Sequence, residues 1–74
     1  MLTAGEVLGT YFLDIRCQLL EIGAMLDRLD RAASGEVLAD QRLVKIYQSL
    51  QLLAERETTA DRAERLLHLF SDPA

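Results

Sequence analysis

A regular stripe of apolar side chains runs along the first 33 residues of the chain. Its members recur at alternating steps of four and three residues, the heptad spacing that keeps one face of a helix against a partner helix. We call this set the main stripe: Leu8, Phe12, Ile15, Leu19, Ile22, Leu26, Leu29 and Ala33. The pattern predicts an all-α fold, a small helical bundle built around one long helix.

The ends of this long helix carry their own sequence signals. Thr3 and Glu6 have the spacing of a capping box, in which each side chain accepts a hydrogen bond from the backbone N–H of the other residue. Gly35 suits the left-handed conformation that ends many helices. We therefore predict helix 1 over about residues 3–33, a length of roughly 45 Å.

Helix 2 is predicted over about residues 40–56. Asp40 is a suitable N-cap because its carboxylate can accept a bond from a backbone N–H that has no partner within the helix. The segment is amphipathic. Its predicted apolar face comprises Ala39, Leu43, Ile46, Leu50 and Leu53. Its predicted solvent face comprises Arg42, Lys45, Gln48, Ser49 and Arg56.

The heptad register fails after Leu53, because continuing it would place glutamates in the apolar seam. Thr58 and Asp61 have the spacing of a second capping box. We therefore predict a short helix 3 over about residues 60–70, which Asp72-Pro73 ends. The alternative is one continuous helix 2 whose register shifts.

Helix 1 carries a second apolar face. At 100° per residue, four residues lie nearly opposite the main stripe, again at steps of four and three. We call them the second stripe: Leu13, Cys17, Leu20 and Ala24. A helix with two apolar faces needs two neighbours. We predict that helices 2 and 3 cover the main stripe, with helix 2 antiparallel to helix 1. A second copy of the chain then covers the second stripe as a homodimer.

Two alternatives to the homodimer remain for the second stripe. It could hold a helix of another protein, or helix 3 could fold back over Leu13 and Leu20 within one monomer.

Composition and charge narrow the possible function classes. The 74 residues predict a single helical domain over 1–74, and a domain this small buries only roughly 60% of its unfolded surface. Half of the residues are apolar, which favours self-association. The net charge of -4 argues against nucleic acid as a partner. One cysteine and the lack of a long apolar segment predict a cytoplasmic protein without membrane contact.

Binding of a metal ion is the alternative function. Asp14, Cys17 and Glu21 lie near one another on helix 1, and their side chains are of types that bind zinc. His68 is the one histidine and could join them on assembly. The spacing lacks a paired-cysteine or paired-histidine motif, and His68 shares a predicted solvent face with Glu64. The interpretation without a metal ion is that Cys17 is a small apolar residue of the interface. We expect no cofactor.

No phosphate-binding glycine loop or nucleophile motif is present in the sequence, so we expect a non-enzymatic, coiled-coil-like interaction module. Two copies paired along helix 1 would resemble, in architecture alone, the small RNA-regulating dimers of helical hairpins typified by the ROP protein. That resemblance covers no motif and transfers no residue. What it implies is a third hypothesis, RNA binding by a helical face, which the acidic balance opposes.

Overall fold

The computed structural model describes residues 1–71, and all of the regular secondary structure in that range is helical. The three helices are α1 (Ala4–Ala33), α2 (Gln41–Ala54) and α3 (Arg62–Ser71). The chain divides into two units, Met1–Val37 and the segment that begins at Leu38. The all-α fold and the three predicted helices are confirmed. The single domain over 1–74 and the packing of helix 1 against helix 2 stay predictions.

The start of α1 is held by the predicted capping box. The backbone N–H of Glu6 donates to the Thr3 hydroxyl at 3.1 Å. In return, the backbone N–H of Thr3 donates to the Glu6 carboxylate at 3.1 Å. Two N–H groups that the helix leaves without partners are thereby satisfied, because both bonds form within one helical turn.

The end of α1 at Ala33 and the left-handed Gly35 are as predicted, and Ser34 is left-handed as well. Ser34 already adopts the left-handed conformation, with φ of 50°, and Gly35 follows with φ of 82°. The Ser34 backbone N–H donates to the Asp30 carbonyl at 3.2 Å, and the Ser34 hydroxyl donates to the Arg31 carbonyl at 3.3 Å. These bonds satisfy carbonyl groups at the helix end, which offsets the steric cost of a left-handed serine.

Asp40 is the N-cap of α2, as predicted. Its carboxylate accepts the backbone N–H of Arg42 at 2.8 Å and also binds the Arg42 guanidinium at 3.1 and 2.8 Å. These bonds lower the pKa of Asp40 to about 2, with the side-chain hydrogen bond from Arg42 as the largest cause. The helix ends at Ala54, near the predicted end. The Arg62 guanidinium donates to the carbonyl of Glu55 just beyond that end.

Residues 55–61 interrupt the helical pattern, so the structure contains two helices where one continuous helix was the alternative. The Thr58 hydroxyl accepts the backbone N–H of Ala60 at 3.3 Å, and Ala60 has φ of 60°. The predicted capping box between Thr58 and Asp61 is replaced by this turn, because the left-handed Ala60 delays the start of α3. The predicted stop at Asp72-Pro73 lies outside the described residues.

Helices α2 and α3 contact each other. Ser49 on α2 is only 8% exposed, and it is the one buried residue among residues 1–71. The sequence placed Ser49 on the solvent face of helix 2, and that prediction is wrong. The Ser49 hydroxyl donates to the Lys45 carbonyl at 2.7 Å, so its burial leaves no unpaired hydroxyl. The less exposed side of α2 therefore includes a small polar residue beside Leu50 and Leu52.

Candidate functional site

The second stripe lies on one continuous helix. Its four residues all fall inside α1, so the helical spacing that groups them on one face holds throughout. Leu13 is 66% exposed and Leu20 is 58% exposed, and both Cys17 and Ala24 are also exposed. The Cys17 thiol is free. The structure therefore contains the predicted apolar face with its side chains open to contact, and contact with a partner stays a prediction.

The main stripe is exposed along much of its length. Leu8, Phe12, Ile15 and Leu19 are each at least 50% exposed. Towards the end of α1, Ile22, Leu26 and Ala33 are partly exposed. No residue of α1 is buried. Within the unit Met1–Val37, this helix of 30 residues therefore carries apolar side chains on two faces that the unit itself does not cover.

A shallow apolar recess connects the two stripes. It has a volume of about 300 Å³ and lies on the side of α1 that carries Arg16. Its lining combines main-stripe residues with one residue of the second stripe: Leu8, Phe12, Ile15, Arg16, Leu19 and Leu20. The sequence treated the two stripes as separate faces. A helical wheel drawn at 100° per residue represents each side chain as a single point. It therefore misses this continuity, because the aliphatic stem of the long Arg16 side chain can extend the apolar surface.

The candidate metal ligands do not form a cluster in the described part of the chain. Within residues 1–71, no group of three His, Cys, Asp or Glu side chains could hold a metal ion. Asp14, Cys17 and Glu21 lie on exposed positions of α1. His68 lies 3.9 Å from Glu64 on α3, and both side chains are exposed, as the sequence predicted. A metal site formed on assembly stays a prediction.

The hairpin of α2 and α3 contains an ion pair that the sequence did not predict. Arg65 donates to the two carboxylate oxygens of Glu55 at 2.8 and 3.4 Å. The hydrogen bond from Arg65 is the largest cause of a lowered pKa at Glu55, and the nearby positive charge adds to it. The two residues are ten positions apart, so no helical spacing rule relates them.

A shallow groove follows this ion pair along the hairpin. Five of its seven lining residues carry polar or charged groups on long side chains, and the other two are leucines: Gln48, Gln51, Leu52, Glu55, Arg65, His68 and Leu69. The groove is wide open to solvent and places one carboxylate against one guanidinium. Because these two charged groups already neutralise each other, the groove is a weaker candidate for a binding site than the apolar faces of α1.

Comparison with known proteins does not add a family. No family model, no curated protein and no solved structure matches the chain. Among the described residues, no helix combines the length and the apolar character that crossing a membrane requires. The candidate site therefore rests on α1 itself: an exposed second stripe bounded by polar residues.

Proposed function

We propose that this chain is a non-enzymatic helical interaction module that self-associates through the second stripe of α1. The observation that supports the proposal is the exposure of the second stripe, because all four of its residues on α1 are exposed. Leu13 and Leu20 lie two turns apart on one face, and more than half of each side chain is exposed.

Exposed apolar area supports association on energetic grounds. Each Å² of apolar surface removed from water stabilises an assembly by roughly 25 cal/mol before the entropic costs of association. Contiguous apolar patches of more than a few hundred Å² are rare on proteins that remain monomeric, and they mark interaction sites.

A second copy is the partner that this face fits most simply. In a two-fold symmetric interface the same patch serves both subunits, so one stripe supplies both surfaces. Its two leucines alternate with Cys17 and Ala24, which lets large side chains of one helix meet small ones of the other. A helix from a different protein is the alternative occupant and is an outcome of the test below.

The test measures the solution mass by light scattering over a dilution series, with and without a reducing agent. The reducing agent is needed because the free thiol of Cys17 lies on the proposed interface. We expect a mass near twice 8.3 kDa that persists on reduction. A reduced protein that stays at 8.3 kDa at every concentration would contradict self-association. The two other hypotheses for the second stripe would then remain, namely a helix of a different protein or helix 3 of the same chain.

Two adjacent leucines provide a matched pair of variants. Leu20 on the second stripe is 58% exposed and Leu19 on the main stripe is 57% exposed. Leu20→Asp places a charge in the proposed interface and should raise the dissociation constant by roughly a hundredfold or more, with helical circular dichroism retained. Leu19→Asp should retain the assembled mass. The reverse result would assign the interface to the main stripe, and Gln18→Asp controls for the added charge.

A further inference from the structure

Two copies could pair along the second stripe either parallel or antiparallel. Polar residues at both ends of the stripe distinguish these two orientations. Four residues continue its heptad steps beyond its ends, and they lie in α1 on the same face of the helix. They are Glu6 and Thr10 on the N-terminal side, and Asp27 and Arg31 on the C-terminal side. All four are exposed. An interface that buries the stripe brings them against the second copy.

We infer that two copies of the chain pair antiparallel along the second stripe, with Glu6 of each copy opposite Arg31 of the other. The two-fold axis passes midway between Cys17 and Leu20. This inference rests on the proposed function, because it specifies the partner and its orientation at the same site.

Charge at the ends of the seam is the first reason. In the antiparallel arrangement Glu6 faces Arg31 at both ends, and Asp27 faces the uncharged side chain of Thr10. The capping bond uses Oε1 of Glu6, which leaves Oε2 to accept from a guanidinium. A parallel arrangement in register would instead place each charged residue opposite its own copy. Like charges that face each other across a helical seam oppose pairing.

Side-chain volume within the stripe is the second reason. The antiparallel arrangement places Leu13 opposite Ala24, and Cys17 opposite Leu20. Each layer then combines one large and one small side chain, so the two helices can keep a uniform separation without voids. The parallel arrangement would stack leucine on leucine and alanine on alanine. Layers of such unequal volume leave gaps at the alanines.

The charges that flank the seam favour the opposite orientation, and they provide a sensitive test. In the antiparallel arrangement Asp14 of one copy lies near Glu21 of the other, whereas in the parallel arrangement Arg16 lies near Glu21. These flanking positions remain in water, where salt screens them and pairs contribute little. The side chains inside the seam are removed from water when two copies pair. Their contribution to the free energy of pairing therefore outweighs that of the flanking charges.

Reversing one flanking charge should strengthen pairing in one orientation and weaken it in the other. In the antiparallel dimer, Glu21→Lys replaces two repulsive contacts to Asp14 with attractive ones. The dissociation constant should fall by roughly tenfold at low salt, and the gain should shrink at high salt. In a parallel dimer the new lysine would face Arg16 and weaken association, which would overturn the inference. Glu21→Gln, as the charge-removal control, should give a smaller gain.

Cross-linking tests the orientation directly. Full-length Glu6→Cys and Arg31→Cys variants, each also carrying Cys17→Ser, are mixed, equilibrated and oxidised. The antiparallel dimer should yield a disulfide that joins one variant to the other, as identified by mass spectrometry. Disulfides that join each variant to itself would overturn the antiparallel inference and leave self-association intact. A wild-type protein that is monomeric at every concentration would overturn both the inference and the proposed function.

Discussion

The two units of the chain are stabilised in different ways. In Met1–Val37, the capping box and the left-handed Ser34 complete a long helix that buries none of its own residues. In the unit that begins at Leu38, α2 and α3 contact each other and an ion pair joins Glu55 to Arg65. The difference lies in contact between helices and not in a packed core, since Ser49 is the one buried residue among residues 1–71. A turn must first bring a second helix within reach, and residues 55–61 provide one between α2 and α3.

Overpacking the hairpin should have the largest effect on stability among these comparisons. Ser49→Leu inserts three additional carbon atoms at a position that is 8% exposed. We expect it to lower the unfolding free energy of the hairpin by about 1–3 kcal/mol. The matched substitution Gln18→Leu on α1 should have little effect, because Gln18 is exposed. Native-state amide hydrogen exchange measures both helices separately. Equal losses of stability from Ser49→Leu and Gln18→Leu would contradict this difference in packing between the two units.

Removing the cap of α1 should have a smaller effect. Thr3→Ala deletes the hydroxyl that accepts the Glu6 N–H, and it should cost about 1 kcal/mol of helix stability. Thr10→Ala is the matched control, because the Thr10 hydroxyl donates to the Glu6 carbonyl within the same helix. Both substitutions are made together with Leu20→Asp, so that pairing between copies does not contribute. That control should be nearly neutral, since the carbonyl already has a helical partner. Amide exchange in the first turn of α1 distinguishes the two variants. Similar losses would show that the cap does not hold α1.

The ion pair of the hairpin should have the smallest effect, and it should depend on pH. Its Arg65 partner lowers the pKa of Glu55, so the folded hairpin holds this proton less tightly than the unfolded chain does. The contribution is therefore fully present above the ordinary glutamate pKa and is lost as pH falls through the lowered value. Both side chains are partly exposed, so the effect should be small and should weaken with added salt.

The matched variants for this prediction are Glu55→Gln and Glu57→Gln. A thermal unfolding series from pH 6 to pH 2 should lose its Glu55-dependent part in Glu55→Gln and retain it in Glu57→Gln. Asp40 contributes a separate step near pH 2, because Arg42 holds its pKa there. Identical pH profiles for wild type and Glu55→Gln would show that the Glu55–Arg65 contact does not contribute in solution.

Local features of this protein were predictable from sequence. The box formed by Thr3 and Glu6, and the cap at Asp40, each involve partners within three residues. Bonds of that kind depend on nearby residue types and on helical geometry, so pattern alone predicts them. The second stripe is predictable for the same reason, because a continuous α1 places Leu13, Cys17, Leu20 and Ala24 on one face.

Features that depend on two helices meeting were not predictable. The bond from Arg62 to the Glu55 carbonyl, the Glu55–Arg65 pair and the burial of Ser49 arise only once α3 has turned back onto α2.

The sequence by itself determined that this chain is helical, where its caps lie and which residues of α1 share an apolar face. Those properties follow from interactions within about four residues, which the order of side chains specifies directly. The tertiary structure decided where the third helix begins, which side of α2 is buried and which charges pair across the hairpin. Such choices depend on the path of residues 55–61, where the left-handed Ala60 sets the direction in which the chain leaves the turn.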